Sequence, residues 1–154
     1  MSTVDSAPHP ASTVAGDGVR ALSPTPIPPD VRAIAFASGA GRIVIGLGLA
    51  ASPRIAMRML GFPRYTDETL VVSRIAGARD VVMGIATLLA LGDRRRLAAA
   101  SLANAGADGA DAATFAATLA KGDELRPAAL RGLAAAVPAT AAGLWAAARL
   151  RSSA

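Results

Sequence analysis

Charges set inside an apolar run constrain this chain more than any other feature. From Val71 to Leu91 the sequence reads VVSRIAGARDVVMGIATLLAL, with Arg74, Arg79 and Asp80 in its first half. Such a run is long enough to cross a bilayer. A charged side chain in hydrocarbon costs roughly 2.5 to 3.5 kcal/mol even on insertion scales, so it requires a partner or water. Three further stretches have similar length, which predicts a small polytopic membrane protein with a polar interior.

Composition agrees. Hydrophobic residues make up 53% of the 154 positions and charged residues 18%, with a mean hydropathy of +0.42, shifted from soluble domains toward the membrane class. Alanine supplies 39 residues and aromatics only 3%, which favours close helix–helix approach over large interlocking side chains. The net charge of +5 comes from fifteen arginines and one lysine against eleven acids. These arginines fall mostly in the connections, which points to an anionic membrane surface and not to nucleic acid. The chain has no cysteine, which removes disulfides, thiolate nucleophiles and cysteine metal sites.

Residues 1–30 hold six of the ten prolines, with Ser, Thr and Gly and little that could build a core. They read as a disordered, partly polyproline tail, distinct from a membrane domain over residues 31–151. The tail lacks a basic start and a continuous apolar core, so it is not a secretory signal peptide. The single histidine, His9, lies here and reads as a bystander.

The first span is expected over Val31 to Ala51, with Asp30 as its cap after a Pro-Pro pair. Gly39, Arg42 and Gly46 stand three and four apart and share one helix face, so a neighbouring backbone can approach there and Arg42 should be buried and paired. The following SPRIAMRMLGFPRYTDE places Arg54 and Arg58 four apart, with Ile55, Met59 and Leu60 toward another side. This is the pattern of a short interfacial helix. Met57 and Met59, without His or Cys nearby, read as gap-filling apolar residues and not as metal ligands.

The second span runs from about Thr69 to Gly92. Gly77 and Gly84 share a face flanked by Arg74 and Asp80, while Arg79 points about 100° away from Asp80. Arg74 and Asp80 are therefore expected to face the bundle. The Asp93–Arg96 run closes the segment and marks a cytoplasmic loop.

The third span, Leu97 to Ala120, is the least apolar. Its Ser101, Asn104, Asp108, Asp111 and Thr118 recur at spacings of three, four, three and seven, making one polar stripe that includes Phe115. In a soluble helix the stripe would face solvent. Beside such apolar neighbours it is expected to face protein or a wet cavity. The fourth span, Pro127 to Leu150, carries Pro138 mid-way, where a kink is expected, with Arg131 near one end and Trp145, Arg149 and Arg151 at the other. The fold class expected is therefore all-α: a four-transmembrane-helix bundle with a short interfacial helix after the first span. Four spans return the chain to its starting side, so both termini are expected on the cytoplasmic side of the plasma membrane.

The run Arg74-Ile-Ala-Gly77-Ala-Arg79-Asp80, followed by Gly84, resembles the signature of small four-helix membrane proteins of unknown function close to the DoxX-like group. The resemblance implies a compact four-helix membrane bundle. Some DoxX-like proteins are linked to quinone-coupled sulfur oxidation or redox complexes, but no residue here independently supports a quinone, and no reaction is carried over.

No nucleophile elbow, phosphate loop, HExxH or EF-hand loop is present, and GAGRIVIGLG does not satisfy G-x-G-x-x-G. The sequence names no cofactor. Asp80, Asp108 and Asp111 lack the further carboxylates or histidine that a metal site normally recruits, so no metal is assigned. The polar-cluster candidates are Arg42, Arg74, Arg79, Asp80, Asn104, Asp108 and Asp111. Two functions fit them: a binding or accessory subunit, touching lipid, a small lipophilic or amphipathic ligand or a larger membrane complex, or a membrane isomerase, cyclase or hydrolase using an aspartate as acid or base. If the arginines hold every carboxylate, the first stands; an unpaired aspartate in an apolar pocket favours the second.

Overall fold

The computed structural model describes residues 26–122 and 124–152; most of the expected tail, with His9, lies outside them. All regular structure among the described residues is helical. Helix α1 spans Pro29–Ala51, α2 Pro53–Leu60, α3 Asp67–Leu89, α4 Arg94–Leu119 and α5 Arg126–Ser152, with one 3₁₀ turn at Ala90–Gly92.

The ends follow local chemistry. Asp30 does not cap α1: the helix begins at Pro29 after Pro28, and the Asp30 carboxylate accepts from the Val31 amide at 2.9 Å inside the first turn. Proline at the first helical position is already set to helical φ and lacks only an N–H that would go unpaired there, so the helix starts two residues before Val31. Thr66 caps α3 by accepting from the Thr69 amide, and Asp93 caps α4 by accepting from the Arg96 amide at 3.0 Å. Gly61, at φ +90°, ends α2 in the left-handed region that glycine enters without strain. Helix α5 runs without a break through Pro138.

Two antiparallel hairpins, α1 with α3 and α4 with α5, make the closest packing. In the first, Gly46 and Gly77 meet backbone to backbone, and Gly84 lies against the carbonyl of Gly39. A Cβ on any of Gly46, Gly77 or Gly84 would sit 2.5 Å from the opposing carbonyl oxygen, so only glycine permits this approach. In the second, Gly143 backs onto the Ser101 carbonyl and Gly132 receives the ring of Phe115. The hairpins touch each other less extensively, and the charged cluster lies at that contact.

Large apolar side chains point outward. Phe36, Val44 and Ile45 on α1, Val72, Ile75 and Val82 on α3, and Val137 and Leu144 on α5 are exposed, while the interior is largely alanine and glycine around Val31, Leu97 and Leu150. A water-soluble bundle would reverse this distribution. Three helices are long and apolar enough to cross a membrane: α1, α3 extended to Gly92, and α5. Four had been expected; α4 has the length but not the apolarity, because its inward face is polar and its outward face is small, with Ala99, Ala103, Gly106, Ala110 and Ala113 exposed.

Candidate functional site

Arg42 is fixed by the glycines that flank it. Gly39 and Gly46 press α1 against α3 one turn to either side, so the arginine leaves α1 into the contact between the hairpins. Its Nη1 donates to Asp80 Oδ1 on α3 at 3.0 Å. Its Nη2 donates to Asp108 Oδ1 on α4 and, at 3.5 Å, to the Asn104 carbonyl. One planar guanidinium thus joins three helices. The side chains of Arg42, Asp80 and Asp108 are only 9%, 13% and 13% exposed.

Arg79 extends the cluster outward. Its Nη2 bridges Asp80 Oδ1 at 3.3 Å and Asp111 Oδ2 at 3.0 Å. The alternating order Asp108, Arg42, Asp80, Arg79, Asp111 runs from the interior to a half-exposed rim, where Arg79 and Asp111 are 41% and 40% exposed. Asn104 adds a neutral branch: its Nδ2 donates to Thr87 Oγ1 at 2.9 Å, and Thr87 donates to the Met83 carbonyl at 2.8 Å.

Six of the seven residues picked out in the sequence meet here. Arg74 does not. It is exposed on α3 and makes no hydrogen bond or ion pair among the described residues. It stands six positions before Asp80, about 9 Å along the helix and 120° around it, beyond the reach of the cluster. Arg79 takes the place expected of Arg74, since it starts at the level of Asp80 and its long side chain wraps back. Thr87 was missed by sequence reasoning. Its signal was available: it follows Gly84 by three and so shares the buried glycine face.

The Arg42 guanidinium sits between the Asp80 and Asp108 carboxylates. All three carboxylates of the cluster are ion-paired.

Residues 39–146 match a family model described as a domain of unknown function, DUF4267. The chain belongs to this family. No curated protein and no solved structure matches it. The DUF4267 match takes in the whole cluster, from Arg42 to Asp111, and all of the glycine contacts between α1 and α3.

Proposed function

We propose that this DUF4267 domain is a four-span membrane subunit with a binding or accessory role and no catalysis of its own. The observation that carries this is the pairing of every cluster carboxylate with an arginine. A general acid or base has to reach its substrate, and each of these carboxylates is instead turned onto a guanidinium. The enzyme alternative, an isomerase, cyclase or hydrolase, requires an unpaired carboxylate facing an apolar pocket.

In this reading residues 31–151 form the membrane domain and α4 is the fourth span. Its polar stripe is sheltered because Asn104, Asp108 and Asp111 meet Arg42 and Arg79 and not lipid. The resemblance of the Arg74–Asp80 run to DoxX-like proteins supports the same four-helix membrane plan. Helix α2 lies in the interface, with Ile55 and Met59 exposed beside Arg54 and Arg58. The Arg94–Arg96 run, with Arg149 and Arg151 at the same end, favours a cytoplasmic placement of both termini at the plasma membrane. Partners in this role are bilayer lipid, a small lipophilic or amphipathic ligand and a larger membrane complex.

Two measurements test the proposal. Alkaline carbonate should leave the protein in the membrane pellet; its release as a detergent-free, monodisperse species overturns the membrane placement. Native electrophoresis after mild solubilisation should place the endogenous protein in an assembly larger than its own micelle. Migration as a lone protein in every mild detergent overturns the accessory role.

A further inference from the structure

A cavity of about 20 Å³ lies between the hairpins, one residue layer from the charged cluster. Its polar lining comes from Ser38, Thr87, Ser101 and Asn104. That volume holds roughly one oxygen-sized group. Ser101 is 5% exposed, and its hydroxyl has no hydrogen-bond partner among the described residues. No fully buried side-chain nitrogen or oxygen among the described residues lacks a partner, so this hydroxyl keeps access to the polar space that Ser101 lines.

The neighbouring amide fixes what the space would accept. Thr87 spends its only proton on the Met83 carbonyl, so its oxygen must receive the hydrogen bond from Asn104. The Asn104 amide is therefore oriented with Nδ2 toward Thr87, and its Oδ1 is an acceptor with no partner among the described residues. A group placed between Ser101 and Asn104 has to donate to the amide oxygen and can exchange a second hydrogen bond with the serine. A hydroxyl meets both demands; a ketone or ether oxygen has no proton to give.

The mouth indicates the direction of entry. Ile34 and Ser38 of α1 border the cavity and are exposed, and Ala142 of α5, half-buried, lines it as well. Gly143 lines the cavity where α5 and α4 come closest, since a Cβ there would come within 2.9 Å of the Ser101 carbonyl oxygen. The slot thus opens between α1 and α5, helices whose outward faces are apolar.

We infer that the α1–α5 slot binds a membrane-dissolved molecule ending in a hydroxyl, with that hydroxyl between Ser101 and Asn104 and the apolar remainder leaving past Ile34 and Ala142. This rests on the bilayer placement proposed above for the direction of entry. The hydrogen-bonding chemistry rests on Ser101 and Asn104 alone. Photolabelling of the purified full chain in micelles with octanol bearing a diazirine next to its hydroxyl tests it. Label should appear on α1 and α5 peptides bordering the slot, should be displaced by 1-octanol and should resist 2-octanone. Ser101→Val, which fills the space and removes the hydroxyl, should lose the label. Ala142→Leu, which blocks the mouth without touching a polar group, should lose it too, while Thr118→Val on the same helix as Ser101 should keep it. Equal displacement by 2-octanone, labelling unchanged in both slot variants, or no saturable labelling because a water alone fills the space would each overturn the inference. Carbonate release of a chain that still labels selectively would overturn the bilayer placement and leave the hydroxyl site standing.

Discussion

Arg42 on α1 and Asp108 on α4 are ion-paired across the contact between the two helical hairpins, 66 positions apart in the chain. Together with Arg79–Asp111 and Asn104–Thr87, this pair and the Asp80 carboxylate behind it join the two hairpins. Burial makes the arrangement unforgiving: each partner has left water, and its counter-charge replaces the lost hydration.

Arg42→Met should accordingly destabilise the protein by about 3–5 kcal/mol, the usual cost of leaving a buried charge without its partner. Asp108 then loses its ion-pair partner, while Asp80 keeps Arg79. Adding Asp108→Leu to Arg42→Met should restore part of the loss. A double-mutant cycle measured by unfolding in detergent should show strong coupling. Asp111→Asn at the half-exposed rim should cost less than about 1 kcal/mol. Additive effects of the two buried substitutions would refute the ion pair as the joint between hairpins.

The glycines predict a contrast within one residue type. Gly46→Ala or Gly77→Ala places a Cβ 2.5 Å from a carbonyl oxygen of the partner helix, so the hairpin must separate at a cost of about 1–3 kcal/mol. Gly41 and Gly106 have no atom within 4 Å of an added Cβ. Alanine at these two helical positions should stabilise by up to about 1 kcal/mol through propensity alone. Thermal unfolding of the four single variants in one detergent checks the sign in each case.

Asp93 supplies a pH dependence outside the spans. The Arg96 backbone amide bonded to its carboxylate holds the group below the ordinary aspartate range, with a further contribution from the Arg95 amide. A depressed folded pKa means that the cap is fully present above the unfolded pKa and is lost as pH falls through the folded one. Hydrogen-exchange protection in the first turn of α4, taken relative to the intrinsic rate at each pH, should therefore fall only on acidification below the ordinary carboxylate range. Asp93→Asn keeps an oxygen acceptor at the cap and should flatten that acid dependence. An unchanged acid profile in the variant would show that another group sets it.

Much of this was legible because helical spacing carries it. Gly39, Arg42 and Gly46 at steps of three and four, and Ser101, Asn104 and Asp108 at the same steps, had to share faces, and those faces are the buried ones. The pairing of Arg79 in place of Arg74 was not legible. A helix phase locates a Cα, but a guanidinium on a long flexible stem reaches neighbours well off that phase. The start of α1 was misjudged for a different reason: Asp30 has the chemistry of a cap, but Pro29 before it already occupies the first helical position. The slot was invisible in sequence because it depends on what Thr87 does with its proton, which only the distances to Met83 and Asn104 reveal.

Topology provides the last test, and the structure sharpens it. Arg94 donates to the carbonyls of Leu150 at 2.8 Å, Pro26 at 3.1 Å and Arg149 at 3.2 Å, gathering the start of α1, the start of α4 and the end of α5 at one end of the bundle. Cysteines placed at Arg95 and Arg151 must then report the same side of the membrane, and one at Lys121, after α4, must report the other if α4 spans. The chain has no native cysteine to confuse the assay. In intact cells an impermeant maleimide should leave positions 95 and 151 unmodified and modify position 121. The competing arginines at the opposite end, Arg54, Arg58 and Arg64, make the orientation itself a real question under the positive-inside rule. Modification at 95 and 151 with protection at 121 would invert the proposed orientation. The same response at all three positions would mean that α4 does not cross, and the Asn104–Asp108–Asp111 face would then have to be sheltered without a fourth span.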